Sequence, residues 1–207
     1  FAALSDDPHR RRRRLGRPGP AASAATLSPP TPTPTHQVLC DVSGRLESAT
    51  RQNLTRRMAE GRNVGIIPGG FEDATLHVQG RERTAMSDRK GLIKYALQHG
   101  YALTPIYTFG ESETYATFPY LLKPRLWLNR FGIPAVAFFG APWMPLFPRR
   151  NVPIASCIGP PLQLPKLEKP TPEEVSKWHA AYLDALQALF DKHKGECGKP
   201  DAKLEIW

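Results

Sequence analysis

Apolar positions along this chain alternate between helical and strand periods. In "ATRQNLTRRMAEG", Leu54 and Met58 stand one turn apart, Thr50 suits an N-cap and Gly61 a C-terminal stop, which predicts a helix. "VGIIP" (residues 64–68) is an apolar run of strand length closed by Gly69 and Gly70, and "ATLHV" reads as a second, weaker strand. "SDRKGLIKYALQHG" returns to helical spacing: Ser87 or Asp88 caps it, Leu92, Ile93, Ala96 and Leu97 form its apolar face, and Gly100 ends it. "YALTPIYTFG", "PAVAFFG" and "PIASCIG" are strand-like. The last element is marked most strongly. Thr171, Pro172 and Glu174 form a capping box, and Val175, Trp178, Tyr182, Ala185, Leu186 and Leu189 recur at helical spacing up to Gly195. Strands and helices in alternation predict an α/β fold, a mixed or parallel sheet flanked by helices.

Composition divides the chain. Residues 1–37 hold the run Arg10 to Arg14 and a Pro/Ala/Ser/Thr stretch, which predicts a disordered basic arm, and residues 38–207 the folded part. The arm supplies much of the net charge of +9, so the folded part is only mildly basic. An arginine run suits nucleic acid or anionic lipid, but no aromatic residues interleave it for base stacking, so no specific nucleic-acid partner is expected. Cys40, Cys157 and Cys197 form no CxxC pair, which supports neither a zinc site nor a disulfide framework. No apolar run reaches the roughly 18 residues that span a bilayer.

One stretch carries more than fold information. After the Gly69–Gly70 turn, Arg89, Gly91, Lys94, Ala96, Gly100, Pro105, Phe109, Gly110 and Glu111 occur in fixed order across 23 residues. This pattern resembles the signature of the type-2 diacylglycerol acyltransferase family, with Leu92 in place of the usual Phe, and Asp73 stands where the family carries an acidic residue after its glycine turn. The likeness continues through "FGIPAVAFFG", "IGPPLQLPKLEKPT" and the final helix. "KLEIW" is similar to short tails that act in endoplasmic reticulum retention. The family's Tyr-Phe-Pro and His-Pro-His-Gly blocks do not occur in this sequence. With no initiator methionine before Phe1, the chain is expected to be the C-terminal part of a longer acyltransferase domain, a partial glycerolipid-acyltransferase-like fold.

The resemblance implies transfer of a fatty acyl group from acyl-CoA to diacylglycerol, without a cofactor or metal, at the cytosolic face of the endoplasmic reticulum membrane or a lipid droplet. A non-catalytic lipid-surface or regulatory protein on the same fold is the alternative. Attack of an alcohol on a thioester needs a general base. His9, His36, His77, His99, His179 and His193 all lack the family's context, so they read as solvated or capping residues and no catalytic base is assigned. Gly69, Gly70 and Asp73 either line the acyl-transfer site or form an ordinary tight turn, and the resemblance favours the first. Arg89, Lys90 and Lys94 either bind CoA phosphates or form a solvated face paired with Glu72, Asp73 or Asp88. Glu111 either orients a reacting group or pairs with Arg89, the salt bridge being preferred. "YLLKPRLWLNRFG" and "FFGAPWMPLFPRR" mix large aromatics with cations, a composition suited to the bilayer interface and also to a core.

Overall fold

The computed structural model describes residues 2–5, 50–129, 131 and 136–207. In chain order the elements are β1 (Ala2–Ser5), α1 (Arg51–Ala59), β2 (Val64–Ile66), α2 (Gly70–Leu76), β3 (Glu82–Thr84), α3 (Lys90–His99), β4 (Ala102–Phe109), a 3-10 turn (Glu111–Glu113), β5 (Ala116–Thr117), α4 (Leu122–Asn129), β6 (Phe138–Phe139), β7 (Ala155–Ile158), α5 (Pro172–His193) and β8 (Leu204–Ile206).

The main sheet has the order β2-β1-β4-β7, and its pairs are antiparallel. β3 and β8 form a separate parallel pair, so the fold is mixed α/β with small sheets. The expected mixed or parallel sheet is therefore corrected in detail. β2 and β4 both run against β1 and so point the same way, as a crossover through α3 requires, but β1 lies between them. This also corrects the arm at its first residues. Ala2–Ser5 were expected to be disordered; they form β1, with Leu4 fully buried. Main-chain hydrogen bonds to two open strand edges need little from the sequence that makes them. The remainder of the arm, with Arg10 to Arg14, lies outside the described residues, as does part of "PAVAFFG".

Pro105 sits mid-strand without breaking the sheet. Ala102–Pro105 pair with β1 and Ile106–Phe109 with β7, so the residue without an N–H stands where β4 changes partners.

Most helix termini follow the sequence. Thr50 accepts from the Asn53 amide at α1, and both bonds of the Thr171–Glu174 capping box are made at α5. Two elements do not. Residues 74–76 of the expected "ATLHV" strand belong to α2, because Glu72 and Asp73 in the first turn favour a helix N-terminus. At α3 the capping position falls to Arg89, with no side-chain bond, and not to Ser87 or Asp88; the Ser87 amide donates to the Trp207 carbonyl at 2.8 Å.

The core lies between the sheet and the two longest helices. Ile93, Ala96 and Leu97 of α3 meet Leu4, Leu103, Val175 and Tyr182, while Phe109, Leu186, Phe190 and Leu204 form a second cluster. Tyr107, Phe109 and Phe190 pack ring against ring with centroids 4.9–5.2 Å apart. The α5 stripe is thus buried as its spacing demands, and His179 goes with it. Its Nε2 lies 2.9 Å from the Met86 carbonyl, so it is a buried residue joining α5 to the β3–α3 loop and not a solvated one.

Candidate active site

Residues of β3, β4, β5 and β6 and of the helices α2 and α5 line a cavity of about 550 Å3, a size in the range of small-molecule sites. The Gly69–Gly70 turn shapes one side. Gly70 has φ +60°, and a Cβ on Gly69 would fall 1.3 Å from Asp73 Oδ2, so the first glycine leaves room for a carboxylate and the second supplies a left-handed bend. From that bend Gly70, Asp73, Ala74 and His77 recur at helical spacing and line the cavity.

The opposite side comes from β3 and β4. Glu82, only 4% exposed, accepts from Tyr107 Oη at 2.7 Å, Ser112 Oγ at 2.9 Å and Lys199 Nζ at 2.5 Å. Burial pushes the Glu82 carboxyl up, but the Lys199, Tyr107 and Ser112 bonds outweigh it and hold it below the usual range. Burial and the Glu82 charge push the Tyr107 hydroxyl well above its ordinary value, so it stays a donor. Lys199 also pairs with Glu113 at 3.0 Å. Arg81 and Arg83, beside Glu82, are clamped by Glu205 of β8, Arg83 Nε at 2.9 Å. The described C-terminal residues are therefore built into the cavity's frame. Leu204 is buried and the Trp207 amide donates to Thr84 at 2.9 Å.

The sequence-predicted site residues divide into three groups. Gly70, Asp73 and Glu111 line the cavity. Gly69 is buried beside it, and Arg89 supports the turn from behind: Nη2 donates to the Gly69 carbonyl at 3.2 Å and to Glu72. Glu72 is thus the anion that offsets a cation at the start of α3, and the preferred Arg89–Glu111 pair is corrected. Lys90 and Lys94 are exposed and do not line the cavity; Lys90 Nζ donates to Ser176 at the start of α5, 3.2 Å away.

His77 was read as a solvated or capping residue; at the end of α2 it shares a face with Asp73 and Ala74 and lines the cavity. Its Nδ1 is buried with no hydrogen-bond partner. Burial, working against Glu111 and Glu82, lowers its pKa. Burial also raises the Asp73 carboxyl, despite the bond it accepts from the Ala85 amide. The signal available was the i, i+3, i+4, i+7 spacing from Gly70.

The cavity wall continues into an exposed apolar surface. Phe138 and Leu146 line the cavity and are 42% and 72% exposed, and Phe139, Trp143 and Phe147 nearby are also exposed. β5 pairs with β6, and Tyr115 Oη donates to the Leu146 carbonyl at 3.2 Å, which holds this rim to the cavity. Arg150 lies 5.0 Å from the Trp143 ring centre. Among the described residues no helix is long and apolar enough to cross a membrane.

A family model described as diacylglycerol acyltransferase matches residues 34–207, a span that contains the glycine turn and every described cavity residue. The chain belongs to the diacylglycerol acyltransferase family. It is 38% identical to human acyl-CoA wax alcohol acyltransferase 1 over 148 residues, 67% of this chain and 45% of the relative. It is 36% identical to human diacylglycerol O-acyltransferase 2-like protein 6 over 180 residues, 80% of this chain and 52% of the relative. With human diacylglycerol O-acyltransferase 2 it shares 32% over 164 residues, 73% of this chain and 42% of the relative. The chain spans about half the length of these relatives. No solved structure gives a significant match.

Within the motif from Arg89 to Glu111, two residues shape the backbone around the cavity. Arg89 fastens the glycine turn. Gly110, at φ +87° with a would-be Cβ 2.0 Å from the Pro153 carbonyl, lets the chain leave β4 beneath the 153–154 segment and brings Glu111 and Ser112 to the cavity.

Proposed function

We propose that the protein to which this chain belongs transfers a fatty acyl group from acyl-CoA to diacylglycerol, forming triacylglycerol. The reaction joins the acceptor oxygen to the thioester carbon, breaks the carbon–sulfur bond and leaves the hydroxyl proton on the CoA thiol. The general base is not assigned to a residue of this chain. The observation that carries the reading is the joining of the Gly70, Asp73 and Glu111 cavity to an apolar, aromatic rim. A neutral lipid dissolves only in a membrane or droplet, and a site with such a rim receives it without passage through water. Trp143 and Phe147 with Arg149 and Arg150 suit contact with the cytosolic face of the endoplasmic reticulum or a droplet surface.

A second acceptor class is favoured by a specific finding. Two of the relatives are named for wax alcohols and for diacylglycerol, at 38% and 32% identity, so a long-chain alcohol is the competing acceptor. The test is to express the complete source gene, supply labelled acyl-CoA with diacylglycerol or hexadecanol, and separate the products. Labelled triacylglycerol supports the first reading and labelled wax ester the second; neither product in the presence of expressed protein overturns both. Turnover by the present chain alone would exclude the non-catalytic alternative.

A further inference from the structure

Cys157 and Cys197 stand about 40 residues apart in the chain, and the fold closes that loop. Cys157 lies in β7, in register with Tyr107 of β4. Cys197 follows α5, with its amide donating to the His193 carbonyl at 3.0 Å. Both side chains pack against the cluster of Phe109, Leu186, Phe190 and Leu204. There the Cys197 thiol is within hydrogen-bonding reach of the Cys157 thiol; burial first, and then this neighbour, hold the Cys157 proton on. Each residue is half-buried and carries a free thiol, so a small oxidant reaches the pair without unfolding of the chain. The pair also sits beside two of the groups that hold Glu82. Tyr107, opposite Cys157, and Lys199, just beyond Cys197, both donate to that carboxylate.

We propose that Cys157 and Cys197 form a reversible disulfide on exposure to a peroxide, and that the link locks the Lys199 segment onto β7. One thiolate attacks the peroxide and breaks its O–O bond; that sulfur becomes a sulfenic acid and one water leaves. The second thiol displaces the sulfenic oxygen as another water, and the S–S bond forms. The two sulfurs together give up the two electrons that reduce the peroxide, and a dithiol reverses the step by exchange. The test treats the reduced chain with hydrogen peroxide, alkylates the remaining thiols and digests without reductant. The expected product joins the Cys157 and Cys197 peptides with the loss of two hydrogens, and leaves Cys40 alkylated. Oxidation is expected to raise the urea midpoint by about 1 M, because a loop of about 40 residues is then closed in the unfolded chain, and dithiothreitol restores the original value. In Cys157→Ser and in Cys197→Ser, each compared with its own untreated form, the rise is lost. Amide exchange at Lys199 slows on oxidation of the wild type and not in either variant. A product with the two thiols oxidised separately, a link through Cys40, or an oxidised midpoint no higher than the reduced one overturns the proposal.

Discussion

The β3 wall and the α2 wall of the cavity each carry a carboxylate, Glu82 and Asp73, and the two are held in opposite ways. Glu82 is surrounded by donors from three parts of the chain: β4 through Tyr107, the 3-10 turn through Ser112, and the C-terminal segment through Lys199. Its charge is compensated and its carboxyl is held down. Asp73 is also removed from water, but with weaker compensation, and its carboxyl is pushed up. Beside it His77 has a buried nitrogen with no partner. A wall whose polar groups are all satisfied serves to hold shape, and one that leaves some unsatisfied does so less well.

The largest way to break this contrast is Glu82→Gln. It leaves Lys199 with Glu113 alone and removes the charge that Tyr107 and Ser112 face, and it is expected to lower stability by about 3 kcal/mol in urea unfolding. The same residue sets a pH dependence. With its folded pKa below the unfolded value of about 4.3, the Glu82 contribution is present above that value and is lost as pH falls through the folded pKa. Wild type therefore loses stability on the acid side, and Glu82→Gln has a flatter acid limb; an unchanged limb would show that other groups set it.

Gly110→Ala comes next. It forces a left-handed φ on a residue with a Cβ and drives that Cβ into the Pro153 carbonyl, at about 2 kcal/mol in the same assay. Glu205→Gln, which loosens the clamp on Arg81 and Arg83 in a partly exposed pair, is expected to cost about 1 kcal/mol. The smallest effect is expected of Asp73→Asn. A raised folded pKa contributes stability only below the unfolded value and loses it as pH rises through the folded pKa, so at pH 7 the charge is not an asset. The amide oxygen still accepts from Ala85, and the change is expected within about 0.5 kcal/mol at neutral pH. A loss as large as that of Glu82→Gln would erase the distinction between the walls.

Local rules carried the sequence reading where one residue decides an outcome by its own chemistry. Thr50 and Thr171 cap helices because a hydroxyl reaches the next free amides, and the α5 stripe from Val175 to Leu189 faces inward because its spacing matches the helical turn. Of the residues singled out by the motif and the glycine turn before it, Gly70, Asp73 and Glu111 line one cavity. The errors came at two helix starts. Ser87 or Asp88 was expected to cap α3, but the cap position falls to Arg89, and "ATLHV" was read at period two when the turn before it starts a helix.

From the sequence alone come the family, the caps, the apolar faces and the glycine turn, because each depends on neighbours within a few residues or on a pattern written along the chain. Only the tertiary structure decides that Ala2–Ser5 lie between β2 and β4, that Arg89 supports the glycine turn and not Glu111, that Lys199 and Glu205 secure the β3 wall from more than a hundred residues away, and that His77 lines the cavity. Those outcomes depend on which unpaired groups remain once the core has closed, and no local pattern records that remainder.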